Sequence, residues 1–237
     1  MVGRVKYPSS TTEETNGSMV SRETGPLARR REVEEVAQAC DLDTERLRKA
    51  IQSMYTRVAT SPEGAFHFHR GPDYAAAVLG YSAGALAALP EEVTAAFSGI
   101  GNPLRIAELS KGVTVVDAGC GAGLDLLLAA RAVGPSGRAI GIEMTEAMAA
   151  RARRGARAAG LENVEVRGGD AIALPVDTES ADVVISNGVL NLVPEKETAV
   201  REMYRVLKPE GQLLLADIAL EEAVSDEARR DIDLWTA

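Results

Sequence analysis

The stretch Asp117-Ala118-Gly119-Cys120-Gly121-Ala122-Gly123 decides the fold. It continues the β-branched run at 113–116, whose strand ends at Asp117, and precedes an apolar helical pattern at 124–133. Three glycines at alternate positions let the backbone turn sharply and let a ligand approach the main chain closely. A strand, a glycine turn and a helix in this order predict the first unit of a parallel sheet. A tight turn that binds no ligand could have the same sequence.

The residues after Gly112 alternate between short apolar runs and helical patterns. Strands spaced by helices imply parallel βαβ units with right-handed crossovers, so we expect an α/β fold with a Rossmann-like, doubly wound, mostly parallel sheet. The predicted strands are 113–117, 138–143, 164–167, 181–186 and 212–217, and the predicted helices are 124–133, 146–159 and 195–207. Pro209-Glu210-Gly211 predicts a turn before the last strand.

The residues before this domain divide into two parts. Residues 1–28 are polar and without periodicity, which predicts a disordered tail. Residues 29–103 are expected to form N-terminal helices and a cap over one end of the sheet, with two helices within 30–58. Asp41 and Asp43 are suited to cap the second of these helices. The domain proper is then 104–237, and its last 20 residues after Asp217 indicate helix, so a truncated C-terminal edge is one expectation.

Composition limits the partners. The chain has 26 basic and 35 acidic residues and a formal net charge of −9, which argues against a nucleic-acid surface. No apolar run reaches the 18 residues that predict a membrane span, and the polar N-terminus favours the cytoplasm over export. We expect a small-molecule partner, and a homodimer is compatible with the sequence.

Cysteine and histidine usage argues against a metal site. Cys40 and Cys120 are too few and too far apart for a zinc site or a disulfide framework. His67 and His69 alternate with aromatic residues and would share one face of an extended segment, but no third ligand has fitting spacing. The sequence therefore predicts no metal, and a polar face opposite a buried aromatic one is the favoured interpretation of the two imidazoles.

Two more carboxylates, at the ends of the next two predicted strands, indicate that the glycine turn is part of a binding site. Glu143 ends the second predicted strand, 20 residues after Gly123, and can accept bonds from both ribose hydroxyls of a nucleoside. Asp170 follows the third strand, where it can accept from an adenine amino group. Together with Asp117, these carboxylates suit an adenosine that carries sulfonium and ammonium groups. They would repel the pyrophosphate of a nicotinamide dinucleotide, whose G-x-G-x-x-G pattern is also missing, so an NAD-binding oxidoreductase ranks second.

The motifs resemble class I S-adenosylmethionine-dependent methyltransferases, and among them the arsenite methyltransferase group. About half of the chain carries the resemblance. The matching stretches are Gly101-Asn102-Pro103, Val116 to Gly123, Gly141-Ile142-Glu143-Met144-Thr145, Gly160-Leu161-Glu162-Asn163-Val164, Asp182 to Leu192, and Tyr204 to Gly211.

The resemblance implies S-adenosylmethionine as the cofactor and gives each motif a role. Asp117 and the glycine turn would border its methionine and ribose, Glu143 would hold the ribose, and Asp170 would flank the adenine. Asn187 would lie near the methionine end. The full set of cofactor-binding residues implied is Asp117, Gly119, Cys120, Gly121, Gly123, Glu143, Met144, Asp170, Ala171 and Asn187.

The departures from that group concern the acceptor. Its characteristic Ser-Asn-Cys run is Ser186-Asn187-Gly188 here, and a further family cysteine would fall beyond Ala237. Soft arsenic needs soft ligands. Three alternatives stay open: the arsenic chemistry is lost, the substrate arrives bound to small thiols, or the chain is a fragment that lacks a ligand. A non-catalytic cofactor-binding or scaffold module is the alternative of another class.

No catalytic residue is assigned from the sequence. An arsenic or sulfur lone pair needs no base, whereas an oxygen or nitrogen nucleophile would need one, and His67 or His69 is then the first guess.

Overall fold

The computed structural model describes residues 2–6, 42–106, 108–219 and 224–235. The first part holds strand β1 (Val2–Lys6) and the helices α1 (Thr44–Thr60), α2 (Gly71–Ala77), α3 (Ala83–Ala87) and α4 (Glu91–Thr94). The second part holds β2 (Thr114–Ala118), α5 (Leu124–Val133), β3 (Arg138–Glu143), α6 (Glu146–Ala158), β4 (Val164–Gly168), β5 (Ala181–Asn187), α7 (Lys196–Val206), β6 (Leu207–Ala216), α8 (Asp226–Arg230) and α9 (Ile232–Trp235). Short 3-10 turns cover Pro103–Ile106 and Leu190–Leu192.

Five strands form the predicted doubly wound parallel sheet. The order in the sheet is β1-β6-β5-β2-β3-β4, and β2 pairs in parallel with both β3 and β5. The chain therefore winds outward from β2 in both directions, which confirms the predicted fold class. Ligands of such sheets bind beyond the carboxyl ends of the strands at this switch point. The turn after β2 opens there.

A sixth strand, β1, was not predicted. It pairs antiparallel with β6, from Val2 opposite Ala216 to Lys6 opposite Gln212. The expectation of a disordered tail is therefore wrong for these five residues, because backbone hydrogen bonds to an edge strand stabilise a segment whatever its side-chain composition. The rest of the predicted tail, the first predicted helix with Cys40, and Asp41 lie outside the described residues.

Most predicted boundaries agree with the structure. Helix α5 and strand β3 have the predicted bounds, and Asp43 accepts the Arg46 N–H at 2.9 Å as the predicted cap of α1. Strand β6 is the exception because it starts at Leu207. The predicted turn at 209–211 is a bulge within β6, where Glu210 has a φ of 65° and the register against β5 shifts.

The sheet is buried on both faces, with α7 on one side and α5 on the other. Val116 and Val184 pack in a cluster with Met203 of α7, whereas Val115 and Ile185 pack with Ala129 of α5. Strands that bury both faces have near-continuous apolar sequences, which explains why periodicity alone identified them.

The N-terminal helices dock on α6. Gly155 lies in the middle of α6, where an added Cβ would stand 2.1 Å from Val93 Cγ2 of α4. Arg154 pairs with Glu92 at 3.0 Å, and Arg151 donates to the Ala59 carbonyl at the end of α1. Residues 42–106, called the cap below, are thereby fixed beside the carboxyl ends of the strands.

Candidate functional site

A cavity of about 1070 Å³, counted with its open mouth, lies between the strand ends and the cap. Nine of the ten residues predicted to bind the cofactor line it. The tenth, Gly123, does not line it. Gly123 has a φ of 97°, and a Cβ there would meet the Ala152 Cβ at 3.0 Å, so this glycine permits α5 and α6 to pack closely. The nine that line it are Asp117, Gly119, Cys120, Gly121, Glu143, Met144, Asp170, Ala171 and Asn187.

The glycine turn presents bare backbone to the cavity. Gly119 N and Cys120 N donate to the Ile142 carbonyl at 2.9 and 3.0 Å, which anchors the turn to β3. Gly121 has a φ of 54°, and a Cβ built on it would meet nothing within 4 Å. A ligand can therefore approach the main chain at Gly121, as the sequence suggested.

Cys120 is a buried thiol within this turn. Burial raises its pKa well above the usual value, and the nearby carboxylates of Asp117 and Glu143 raise it further. Because the thiolate is the form that attacks or binds metals, burial disfavours both reactions at this thiol. An added Cβ at Gly141 would lie 2.7 Å from its Sγ, so Gly141 provides the room for Cys120.

Glu143 is fixed by its neighbours' backbone. Gly121 N donates to Glu143 Oε2 at 2.9 Å, and Thr145 N donates to Oε1 at 2.7 Å. Burial raises the pKa of this carboxyl, and these two bonds act in the opposite direction. Each oxygen keeps a lone pair, so the carboxylate can still accept from two hydroxyl groups.

Asp117 is buried with an unpaired oxygen. It is 2% exposed, and its Oδ2 has no hydrogen-bond partner among the described residues. Burial raises its pKa well above the ordinary value, the charges of Asp125 and Glu143 raise it further, and the Leu126 N–H lowers it. An unpaired buried carboxylate is costly, so a cationic ligand would be stabilised there.

Asp125 is a further buried carboxylate that the sequence analysis missed. It lines the cavity from the first turn of α5 and accepts from Tyr81 Oη at 2.6 Å and Asn187 Nδ2 at 2.9 Å. Burial raises its pKa to about 6 against the effect of these bonds. The only available signal was an acidic residue in the first turn of a mainly apolar helix.

Asn187 lines the cavity, and its amide already has partners. Its Oδ1 accepts from Ile100 N and Gly101 N at 2.9 and 3.1 Å. Its Nδ2 donates to Asp125 and to the Gly101 carbonyl, at 2.9 and 2.8 Å. Asn187 therefore joins the end of β5 to the cap and to α5.

Helix α1 closes the side of the cavity near Asp170. Arg48 Nε lies 3.3 Å from Asp170 Oδ2, and the Arg48 guanidinium also lies 3.6 Å from Glu195. Tyr55 lines the same wall, and burial together with the charge of Glu143 raises its pKa to about 12. Neither Arg48 nor Tyr55 could be identified from sequence motifs, because both reach the cavity from a helix outside the sheet.

The loop between β5 and α7, residues 188–195, forms the remaining wall. Asp217 accepts backbone N–H groups from Val189, Leu190 and Asn191, at 2.7 to 3.1 Å. Lys196 donates to the Leu190 and Val193 carbonyls from the other side. This loop is thus held in shape by two side chains that do not line the cavity.

The two histidines do not line the cavity. The His67 ring lies edge-on to Phe68, and the His69 ring stacks on Tyr74 at 5.1 Å. This does not support either imidazole as a general base. Within the described ranges no group of three His, Cys, Asp or Glu side chains is arranged to hold a metal. None of the described helices has the length and apolarity needed to cross a membrane.

Comparison with known proteins identifies the domain. A family model described as "Methyltransferase domain" matches residues 109–236, more than half of the chain. An arsenite methyltransferase of Halobacterium salinarum is 42% identical over 158 residues, which are 67% of this chain and 40% of that protein. A demethylmenaquinone methyltransferase of Listeria welshimeri is 37% identical over 114 residues, 48% of each protein.

A solved structure of a methyltransferase is also similar to this chain. An arsenic(III) S-adenosylmethionine methyltransferase from Chlamydomonas reinhardtii superimposes with a TM-score of 0.57 at 35% identity, covering 62% of this chain and 51% of that one. The chain thus spans only about half, or less, of the length of these relatives.

Proposed function

Since the chain belongs to the methyltransferase-domain family and has its class I fold, we propose that it transfers a methyl group from S-adenosylmethionine to a small-molecule nucleophile. One observation carries this proposal. Asp117, Asp125 and Glu143 are all buried around one cavity, beside a glycine turn with open backbone. A site with three carboxylates suits a ligand with fixed positive charge and disfavours a diphosphate, which argues against the NAD alternative.

The residues present fit this cofactor. Glu143 would accept from the ribose hydroxyls, because it lines the cavity and a carboxylate can accept more than the two bonds from Gly121 and Thr145. Asp117 would face the cationic amino-acid end with its unpaired Oδ2. Asp170, Ala171 and Met144 would border the adenine. When bound, S-adenosylmethionine supplies an intrinsically activated methyl group.

The protein's own contribution is orientation. A cap docked on α6 and a loop held by Asp217 enclose the cavity from two sides, which limits the approach of the acceptor. Holding two reactants in line contributes about 7 to 11 kcal/mol to lowering a barrier. No general base is required if the acceptor attacks with its own lone pair.

We propose a soft nucleophile as the acceptor, sulfur or an arsenic that already carries small thiol ligands. Gly188 stands where the resembling group has the cysteine of its Ser-Asn-Cys run, and an added Cβ there would lie 3.4 Å from Ile100. Among the described residues that line the cavity, Cys120 is the only thiol, and it is buried. Arsenic would therefore have to bring its soft ligands with it.

The test is methyl transfer from labelled S-adenosylmethionine to arsenite with and without glutathione, to other thiols, to phenols and to amines. We expect labelled product with a thiol or with thiol-bound arsenite. Cofactor binding without turnover on any acceptor would favour the non-catalytic module. A chain that binds NAD but not S-adenosylmethionine in calorimetry would overturn the proposal.

A further inference from the structure

The loop 188–195 carries an apolar part of the cavity wall. Leu192, Val193 and Pro194 line the cavity there, whereas the buried carboxylates line it from the strand ends and the first turn of α5. A cofactor with hydroxyl, amino and charged groups needs polar partners when it is buried, so its place is beside the carboxylates. The apolar loop then borders the space that remains for the acceptor.

One side chain holds the middle of this loop. Lys196 Nζ donates to the Leu190 carbonyl at 2.6 Å and to the Val193 carbonyl at 2.9 Å. An ammonium group has three N–H donors, so it can hold both carbonyls at once. Asp217 accepts from the backbone of residues 189–191, at the beginning of the loop. The position of Val193 therefore depends on Lys196 more than on Asp217.

The ring of Trp235 lies against Lys196. Lys196 Nζ is 5.0 Å from the centre of this ring, within the range of a cation–π contact. Trp235 Nε1 donates to the Arg229 carbonyl at 2.8 Å, which fixes the ring relative to α8. Helix α9, which ends at Trp235, also packs against α1. Neither Lys196 nor Trp235 lines the cavity, so both act on it through the loop.

We propose that Lys196 is the positioning residue of the acceptor wall and that Trp235 holds its ammonium group in place. The segment 224–235 thereby contributes to methyl transfer from outside the cavity. This inference rests on the proposed function. Without the ammonium group, the Leu190 and Val193 carbonyls lose a charge-assisted donor, and the apolar residues beside them are less restrained. The acceptor then meets the methyl group in fewer productive orientations.

The first measurement is the steady-state kinetics of the whole chain with labelled S-adenosylmethionine and with arsenite plus glutathione as the acceptor. Lys196→Met keeps the length of the side chain and removes its donors, so kcat/KM for the acceptor should fall about tenfold or more. The Kd for S-adenosylmethionine should change less than about twofold, because the strand-end residues share no bond with Lys196. Lys196→Arg keeps donors and a cation that stacks on aromatic rings, so it should recover most of the lost activity.

The contribution of Trp235 is measured in the same way. Trp235→Ala should lower kcat/KM about threefold and Trp235→Phe by less, because a Trp ring is the strongest cation–π partner. Lys208→Met is the matched control, since Lys208 pairs with Asp182 at the opposite end of β5. Unchanged kcat/KM in Lys196→Met, or an equal loss in Lys208→Met, would overturn the inference. A fall in cofactor affinity as large as the fall in kcat/KM would overturn it too.

Hydrogen exchange measured by mass spectrometry tests the inference without turnover. The amides of the loop 188–195 should exchange faster in Lys196→Met and in Trp235→Ala than in the unaltered chain, because local opening becomes easier. Lys208→Met should leave this exchange unchanged. Unchanged loop exchange in Lys196→Met would contradict the role of Lys196. Faster loop exchange in that variant, in a chain that methylates no acceptor even before substitution, would instead overturn the proposed function.

Discussion

The cavity has two unlike walls. On the strand side, Glu143 is held by backbone N–H groups of Gly121 and Thr145, which lie on the adjoining turn and two residues away. On the cap side, Arg48 and Tyr55 lie on α1, whose contacts with the domain join residues that are distant in sequence. Asn187 joins the two walls by bonds to residues 86 and 87 positions away. Local backbone thus builds the binding chemistry of one wall, whereas long-range packing builds the enclosure.

The largest expected effect is on the strand wall. Glu143→Ala should weaken S-adenosylmethionine binding roughly tenfold to a hundredfold, since charge-assisted hydrogen bonds contribute about 1.5 to 3 kcal/mol. Titration calorimetry measures this directly. Glu165→Ala is the control, because Glu165 pairs with Arg138 and Arg167 outside the cavity and should leave the affinity unchanged. Unchanged affinity in Glu143→Ala would remove the ribose assignment.

An intermediate effect, on thermal stability, is expected at Asn187, which connects the two walls. Asn187→Ala leaves Ile100 N, Gly101 N and Asp125 without their present partner. Each unsatisfied group costs about 1 to 3 kcal/mol, and each kcal/mol lowers the Tm of a chain of this size by about 2 to 4 °C, so the three together should lower Tm by at least roughly 6 °C. Thermal unfolding followed by circular dichroism checks this. Asn102→Ala, which removes one long exposed bond to Gly80, should lower Tm far less, and equal losses in both variants would refute the role of Asn187 as a joint.

The smallest effect is expected on the cap wall. Arg48 is partly exposed, and its ion pairs with Asp170 and Glu195 should contribute at most about 1 kcal/mol. Arg48→Gln should therefore change cofactor affinity by less than about fivefold, and 0.5 M salt should abolish the difference. Lys49→Gln on the same helix, whose partner is Glu45, provides the control. A loss of cofactor affinity above tenfold that persists in high salt would show instead that Arg48 contacts the cofactor directly.

The sequence predicted the parallel sheet well because the signals were local. Apolar runs, the glycine turn and helical periodicity gave α5 and β3 their observed bounds. Strand β1 escaped prediction because its stabilisation comes from backbone pairing with β6, about 210 residues away, which no pattern within the segment records. The bulge in β6 was not predicted either. Glu210 adopts a left-handed φ inside a strand, where a turn was expected.

The candidate site divides in the same way. The residues that line it from the strand ends were found because each ends or follows a predicted strand. Gly123 was assigned to the ligand, yet the structure places it against Ala152. Asp125 and Tyr81 were missed because they are 44 residues apart in sequence and come into contact only in the folded chain. One lies on a helix and the other in the cap, and periodicity does not show how these two elements are oriented relative to each other.

By itself, the sequence determined the order of strands and helices and the acidic residues at three strand ends, because both depend on short-range pattern and the parallel topology it implies. Only the tertiary structure decided that Asp125 lines the same cavity as Asp117, that the Asn187 amide already has partners, and that α1 forms one wall of the cavity. Those facts depend on how distant segments pack, and packing is fixed by the fit of whole surfaces that one stretch of sequence does not contain.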